Sequence, residues 1–379
     1  MKKLLVLAAL SMAAAPAMAS KARVEALGND ASLVDVQTAF VNPADMMFVG
    51  DQATFEFGSS STAGYTYDGA GGYTASTTPH AEGGFFKTLS WGKVGAYLGH
   101  KNDTSNLFID RVNNTLAGAG FHSTTGALLN EQNPLDLFYG NDMGGLKYGV
   151  NVHYSNSQSQ DNTTIGKQTE NTLGASFGVR SDVWNAWVRA GLAGDTKSTD
   201  LATYAPELKS KGLYGVGGGY WFDTIYVYAN YQYAKGTSTI AGTDQDITNQ
   251  VWSLGMVNNH KVEGGNFFYG ISYAYNQIDA GSTVGKTTDQ GLPLIMGLEV
   301  DANSWLTLRG SVTQTVLYGE NKTEAAATTK DQLTNDTVVA AGAGIKWGKI
   351  NLDATLAGAV NGQVNGNNLL ANGSLTYMF

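Results

Sequence analysis

Short runs in which apolar and polar side chains alternate recur along most of this chain. Because successive side chains of an extended strand point to opposite faces, each run predicts a strand with one apolar and one polar face. The clearest runs cover 292–300, 306–316, 339–347 and 350–356. Apart from the N-terminal residues, no run of 18 or more apolar residues could form a transmembrane helix. The pattern therefore predicts a sheet with one face in an apolar environment.

Composition supports a barrel that crosses a membrane with strands. Charged residues make up 15% of the chain, below the roughly 25% that is usual for soluble domains. The chain has 48 glycines, 19 tyrosines and only six prolines, and it contains no cysteine. Its fold must therefore close by hydrogen bonding and packing. A secreted β-solenoid is the competing class, but it should show a fixed repeat, and none is found.

Connections of two kinds separate the runs. Very short turns, near residues 91–93, 222–224 and 348–349, alternate with long polar links such as 155–171 and 235–249. Short turns on the periplasmic side and long loops outside are typical of transmembrane barrels. Counting 134–139 as a strand gives an even total, from 53–58 to 373–379. We therefore predict an all-β fold, a transmembrane antiparallel β-barrel of about 16 strands over residues 53–379.

The N-terminus has the pattern of a cleaved export signal. Lys2 and Lys3 precede an apolar run over 4–15, and Ala17-Met18-Ala19 is a small-residue cleavage pattern. We expect residues 1–19 to be a signal peptide cleaved before Ser20, with a single anchor helix as the alternative. Residues 20–52 would then form an N-terminal periplasmic or lumenal segment. The acidic net charge of −9 argues against nucleic-acid binding.

The last residues of the chain also alternate between apolar and polar side chains. Leu375, Tyr377 and Phe379 share one face, and Ser374 and Thr376 share the other. This ending resembles the C-terminal signal strand of bacterial outer-membrane β-barrels. The resemblance implies that Leu375, Tyr377 and Phe379 are read by the barrel-assembly machinery, and that the outer-membrane lipid is a partner of the folded chain.

Charged residues in the strands fall on the face opposite the apolar one. An Arg or Lys on the lipid face costs about 2–4 kcal/mol near the midplane, so these charges should face the lumen. Their mixed sign suits a selective aqueous pore, although they could instead pair and block a narrow barrel. The candidate pore-lining residues are Lys147, Arg180, Arg189, Glu299, Asp301, Arg309, Lys346 and Asp353.

The longest link, 100–133, is not simply polar. It contains Leu107-Phe108-Ile109 and Leu128-Leu129, which would be costly in a flap exposed to water. We expect it to fold inward and narrow the lumen, with an extracellular cap or an oligomer contact as the alternative.

Taken together, these features resemble the outer-membrane porin class over essentially the whole mature chain. The resemblance implies a water-filled channel for passive diffusion of small hydrophilic solutes and ions, with no cofactor. By analogy with porins of this size, a homotrimer is also possible.

A local stretch resembles another family of barrels. Asp30-Ala31-Ser32 and Asn42-Pro43-Ala44 are similar to the N-terminal segment of long-chain fatty-acid transporters, which have 14 strands and a longer plug. This resemblance implies an alternative function, the transport of hydrophobic substrates. The Asn-Pro step also has a plain structural reading as a turn. Because residues 20–52 are few, we expect no complete plug.

Catalysis and metal binding are not expected. The histidines are His80, His100, His122, His153 and His260. His153 lies two residues before Ser155 on the inward phase of a strand, but a base must also meet an orienting group in space. No His or Cys pair has metal-ligand spacing, and the acidic residues do not form a Ca²⁺ loop.

Overall fold

A computed structural model describes residues 20–59, 66–67, 73–74, 79–101, 128–161, 166–199, 206–240, 242–280, 285–324, 328–331, 337–359 and 369–379. Sixteen antiparallel strands within these residues close into one barrel. Each strand pairs with its neighbours in the chain, and the first strand closes the ring by pairing with the last. The strands are β1 (Gln52–Ser59), β2 (Pro79–Leu89), β3 (Gly92–Leu98), β4 (Leu135–Met143), β5 (Leu146–Asp161), β6 (Gly166–Arg180), β7 (Trp184–Ser198), β8 (Glu207–Phe222), β9 (Ile225–Ile240), β10 (Thr243–Val262), β11 (Gly265–Asp279), β12 (Lys286–Asn303), β13 (Leu306–Glu324), β14 (Thr337–Trp347), β15 (Ile350–Ala359) and β16 (Leu369–Met378).

The two ends of the barrel differ, as the connection lengths predicted. At one end, turns of two or three residues join β2 to β3, β4 to β5, and so on to β14 and β15. β1 begins and β16 ends at this same end, where Gln52 pairs with Met378. Trp91, Trp184, Trp305 and Trp347 are exposed there, a placement typical of an interfacial aromatic girdle. The predicted fold class and strand number are confirmed.

At the other end, the strands run further than the sequence indicated. The expected polar link 155–171 is mostly ladder, because β5 continues to Asp161 and β6 starts at Gly166. The link 235–249 is likewise shortened to a two-residue connection between β9 and β10. The physical reason is that alternation reports only a difference between two faces. Where both faces meet water, both are polar, and backbone pairing continues without an alternating pattern.

The outer and inner surfaces of the barrel have opposite chemistry. Phe55, Val216 and Leu352 are among many large apolar side chains exposed on the outside. On the inside, Thr54 and Thr376 are fully buried, and their hydroxyl oxygens lie 3.1 Å apart. An apolar outer belt of this extent requires a lipid rather than an aqueous environment. The C-terminal strand follows the same rule, with Leu375, Tyr377 and Phe379 exposed outside.

Residues 20–51 lie inside the barrel, and we call this segment the plug. It contains one short helix, α1 (Lys21–Ala26), and two 3₁₀ turns, Gln37–Phe40 and Pro43–Phe48. The Ser20 side chain caps α1, and the Asn42 side chain caps the second 3₁₀ turn, which begins with a proline. Within the described residues, no helix is long and apolar enough to cross a membrane.

The plug reaches around the wall at the short-turn end. α1 packs against β13 to β16, and the second 3₁₀ turn packs against β4 to β6. Two apolar clusters join the plug to the wall between these contacts. They are Val36, Ala39, Phe40, Met46 and Val49 with Phe86, Tyr97 and Phe138, and Leu27 and Leu33 with Tyr228, Val257, Phe268 and Ile295. Short turns packed in different directions thus bring few residues into contact with several strands of the wall.

The apolar outer belt predicts that the cost of introducing a charged residue depends on its position on the barrel. Val216 is 50% exposed on the outer face of β8, so Val216→Arg should destabilise the barrel by about 2–4 kcal/mol. The measurement is urea-dependent folding into lipid vesicles. Thr243→Arg, at the far end of β10, is the control and should cost less than about 1 kcal/mol. Equal costs at the two positions would contradict the assignment of the belt.

Candidate functional site

A chain of ion pairs joins the plug to the barrel wall. Arg23 of α1 binds Asp35 of the plug at 3.0 Å and Glu299 of β12 at 2.8 Å. Glu299 is shared with Arg309 of β13, at 2.6 Å, and Arg309 continues to Asp353 of β15, at 2.5 Å. We call these five residues the charge network. Arg309 and Asp353 are buried, so each charge depends on its partners in place of water.

The wall leaves room for this network at one glycine. The Arg309–Asp353 pair spans β14, which lies between β13 and β15. A Cβ at Gly344 of β14 would lie 2.6 Å from the Asp353 carboxylate and 2.9 Å from the Arg309 guanidinium. Because real Cβ atoms do not approach so closely, a larger residue there would displace the pair.

Burial also raises the pKa of Asp35 to about 6, although Arg23 acts in the opposite direction.

Two glutamates on the wall form a second anchor for the plug. Glu56 of β1 and Glu82 of β2 are direct partners across the ladder, and both are buried. Like charges placed directly opposite each other destabilise a sheet unless other groups compensate. Lys21 reaches Glu82 at 3.4 Å, and the Gln37 amide donates to both carboxylates. The Tyr97 hydroxyl also donates to Glu56. The plug therefore supplies compensation that the wall alone lacks.

The Asn-Pro step of the plug docks on β6. Arg180 binds Asp45 at 2.6 Å, and the Asn42 amide donates to the Val179 carbonyl at 3.5 Å. A Cβ at Gly178 would lie 1.9 Å from the Asn42 amide oxygen. Close approach of the turn to the wall thus requires glycine at this position. Burial raises the pKa of Asp45, whereas Arg180 lowers it.

The other predicted pore-lining charges have separate partners. Lys147 lies 3.4 Å from Asp142 and over the Phe48 ring of the plug. Lys346 lies 3.8 Å from Asp301. Arg189 of β7 lies over the ring of Trp187 on the same strand, 5.4 Å from its centre. Of the eight predicted residues, the structure therefore brings Glu299, Arg309 and Asp353 into one network.

Sequence reasoning did not single out the plug residues of the ion pairs. Arg23, Asp35 and Asp45 lie outside any strand, so no alternating pattern indicated which way their side chains point. Glu56 and Glu82 lie in strands but were not singled out as charges on the inward phase. The available signal was local: apolar and acidic residues are interleaved in 20–51, which is unusual for a segment fully exposed to water.

Beside the plug, the lumen holds a cavity of about 440 Å³. It is bounded by the plug and by the inner faces of β4 to β9. Its lining is mixed, with aromatic and aliphatic side chains beside a larger number of polar ones, seven of them charged, and both partners of the Arg180–Asp45 pair reach it. The apolar lining side chains include Leu33, Phe40, Val41, Trp187, Leu213, Tyr226 and Tyr228, and the polar ones include Asp30, Asp136, His153, Ser176, Arg180, Asn185, Arg189 and Asn230.

The end of the long link 100–133 enters the barrel above this cavity. Glu131 is fully buried and lies 3.3 Å from His153 of β5, whose other ring nitrogen lies 3.2 Å from Asp136 of β4. The Gln132 backbone N–H donates to the Ser157 hydroxyl, and the Thr196 hydroxyl donates to the Leu129 carbonyl at 3.0 Å. We call residues 128–134 the inner strap. The rest of the link, 102–127, lies outside the described residues, so its expected inward fold stays a prediction.

His153 and Ser155 do not face each other as base and nucleophile. His153 is held between Asp136 and Glu131, and the Ser155 hydroxyl donates to Glu170 at 2.8 Å. Within the described residues, no group of three His, Cys, Asp or Glu residues could hold a metal ion.

Comparisons with known proteins give distant structural neighbours. No protein-family model and no curated protein matches the chain. Among solved structures, a Pseudomonas aeruginosa FadL homologue is 12% identical, with 96% of this chain and 98% of that chain covered and a TM-score of 0.40. The Pseudomonas putida toluene transporter TodX is 12% identical, with coverages of 94% and 96% and a TM-score of 0.38.

A third neighbour, CdiB from Acinetobacter baumannii, is 10% identical, with 87% of this chain and 60% of that chain covered and a TM-score of 0.44. All three are distant in sequence and in superposition.

The charge network predicts an asymmetric response to substitution. Arg309→Met leaves the buried Asp353 carboxylate without its cation and should cost about 3–5 kcal/mol of unfolding free energy. Lys211→Met removes an exposed partner of Asp246 and should cost less than about 1 kcal/mol. Urea unfolding in detergent measures both. Equally small costs would show that the network does not hold the plug.

The inner strap predicts a role for His153 in positioning the link. His153→Leu should loosen residues 128–134, because the hydrogen bond between His153 and Glu131 is lost. A nitroxide attached at Asn133→Cys reports this, since the chain has no other cysteine and Asn133 is exposed. Its spectrum should show faster motion in the variant. His260→Leu, an exposed site at the short-turn end, should leave the spectrum unchanged. An unaltered spectrum in His153→Leu would refute the strap.

Proposed function

We propose that this protein is an outer-membrane channel that carries small, partly apolar molecules past a plug formed by its own N-terminal segment. The observation that carries the proposal is the cavity of about 440 Å³ between the plug and β4 to β9, with aromatic and aliphatic side chains on its wall. Of the two functions expected from the sequence, this is the one implied by the resemblance of residues 28–46 to fatty-acid transporters.

The outer surface of the barrel supports a location in the outer membrane. Closed barrels are one of the two architectures that cross lipid bilayers, because every backbone group is paired. Here an apolar belt, a tryptophan girdle and short turns at one end occur together. The C-terminal strand with its aromatic end and the signal-like residues 1–19 agree with export to that membrane.

The packing of the lumen argues against a wide aqueous pore. A barrel of 16 strands is broad enough for a water channel when its interior is empty. In this chain, the short-turn end of the lumen contains the plug, and Glu299, Arg309 and Asp353 are already bound to one another and to α1. Charges neutralised in this way offer little field to select a passing ion.

The cavity suits a molecule with both an apolar part and polar groups. Val41 and Tyr228 provide apolar contact surface, and Arg189 and Asn230 provide hydrogen-bond donors. Pockets of about 300–1,000 Å³ are typical for small-molecule ligands. The Arg180–Asp45 pair both lines the cavity and holds the plug. A ligand that competes for Arg180 would therefore loosen the contact that blocks its onward path.

Cavity filling tests this proposal. Ser176 lines the cavity from β6, so Ser176→Phe should reduce its volume and weaken binding of a small aromatic probe by tenfold or more. Val188→Phe, on the outer face of neighbouring β7, is the matched control and should bind the probe as the wild type does. Quenching of tryptophan fluorescence on titration with the probe measures both.

Planar-bilayer recording completes the test. The wild-type protein should show at most small, brief currents, because the plug occupies the lumen. Stable, large ohmic steps in the wild type, together with no probe binding, would contradict the proposal and favour a general pore for hydrophilic solutes.

A further inference from the structure

Ser20, the residue after the expected cleavage site, forms hydrogen bonds both within the plug and to the barrel wall. Its hydroxyl oxygen donates to the Asp353 carboxylate at 3.2 Å and accepts a hydrogen bond from the Arg23 amide at 3.1 Å. It thereby caps α1 and touches the charge network at the same time. Ser20 is fully buried. The first residue of the segment is therefore packed against the wall and is not a loose end.

The surroundings of α1 hold more carboxylates than cations. Among the described residues, the cationic side chains in this region are Lys21, Arg23 and Arg309, and His100 lies 3.6 Å from Glu82. The carboxylates in contact with α1 or with these cations are Glu25, Asp35, Glu56, Glu82, Glu299 and Asp353. Burial raises the pKa of Glu25 to about 7, although Lys21 acts in the opposite direction. A further cation would offset this excess of buried negative charge.

Backbone geometry places such a cation within reach. The Lys21 backbone nitrogen donates to a Glu56 carboxylate oxygen at 2.5 Å. Ser20 is extended, with φ −160° and ψ 152°, so its own nitrogen lies about 3.6 Å from that of Lys21. The Ser20 nitrogen is therefore within about 6 Å of the Glu56 carboxylate, a distance at which opposite charges favour each other's ionised form.

We infer that cleavage before Ser20 creates a structural cation, the α-ammonium group of Ser20, which locks the plug by binding among Glu56 and Asp353. Hydrolysis of the Ala19–Ser20 peptide bond, with water as the second reactant, leaves a carboxylate on Ala19 and an amine on Ser20 that takes up a proton. Before cleavage, the same nitrogen is a neutral amide. The uncleaved chain lacks the cation and must also carry the leader out of a buried position.

Plug closure is thereby coupled to maturation. In the precursor, the strands of the barrel would pair, but Ser20 could not take up its buried position against the wall. The inference rests on the plug of the proposed function, but not on the nature of the transported molecule. Its test therefore uses no transport or ligand, and the two proposals can fail separately.

Selective labelling of amines is the direct test. The intact mass of the purified protein should first correspond to a chain that begins at Ser20. An amine-reactive ester at neutral pH should then label the Ser20 amine at least about tenfold more slowly in the folded protein than in urea. Lys209, whose side chain is 59% exposed, is the internal control and should label at similar rates in both states. Mass spectrometry of the peptides measures both sites.

A variant with a displaced N-terminus provides the second readout. Insertion of Gly-Ser between Ala19 and Ser20 keeps the cleavage pattern but moves the ammonium away from Glu56 and Asp353. Its new N-terminus should label as fast as in urea, and trypsin should cleave after Lys21 and Arg23. The same dipeptide inserted after Gly242, in the short connection between β9 and β10, is the control and should leave the plug protected.

Either of two results would overturn the inference. One is a mature chain that begins at a residue other than Ser20. The other is a Ser20 amine that labels in the folded wild-type protein as fast as in urea. Both are measured on the wild-type protein, so they decide the question even if the insertion variant does not fold.

Discussion

The buried charge network of Arg23, Asp35, Glu299, Arg309 and Asp353 is the interaction on which the rest of this structure depends. Charges placed inside a protein lose their hydration, and they are tolerated only when paired with good geometry. Here the pairs cross from the plug to three strands of the wall. Neither the plug nor the wall can satisfy its charges alone. The network therefore specifies where the plug sits more than it adds to overall stability.

The same constraint explains how so short a segment closes so wide a barrel. A regular helix would present one narrow apolar stripe, whereas α1 and the two 3₁₀ turns point side chains in several directions. Apolar residues such as Met46 and Leu27 reach different sectors of the wall. Polar anchors, including Asp45 on Arg180 and Lys21 on Glu82, lie between them. The cavity remains between the plug and β4 to β9.

Much of the barrel could be predicted from the sequence, because one face meets lipid and the other does not. That contrast alone places Leu352 outside, Arg309 inside and Phe379 at the end of the last strand. The alternation shows which face of a strand a residue lies on, but not which residues it contacts. Arg309 was therefore predicted as a selectivity residue, although it is bound to Glu299 and Asp353. Where strands leave the membrane the contrast disappears, and β5 and β9 were predicted too short.

The plug was harder to predict for a related reason. Its residues follow no period, since each short turn packs in a different direction. The wall residues that bind Arg23, and through it hold Asp35, lie in strands 250 or more residues later in the chain. The similarity of the Asn42-Pro43-Ala44 step to fatty-acid transporters was a further local indication. The structure adds a reason for it, which is the close docking of this turn on Gly178.

A disulfide between plug and wall would test the central claim most directly. A Cβ at Gly342 of β14 would lie 2.6 Å from the Ala26 Cβ, so cysteines at these two positions need to separate by only about 1 Å to reach disulfide geometry. The Ala26→Cys/Gly342→Cys protein should form the bond on folding, with no competing cysteine in the chain. Ala26→Cys/Gly310→Cys, whose second site lies on the outer face of β13, should not. Free thiols in both folded proteins would show that residues 20–51 do not occupy the lumen.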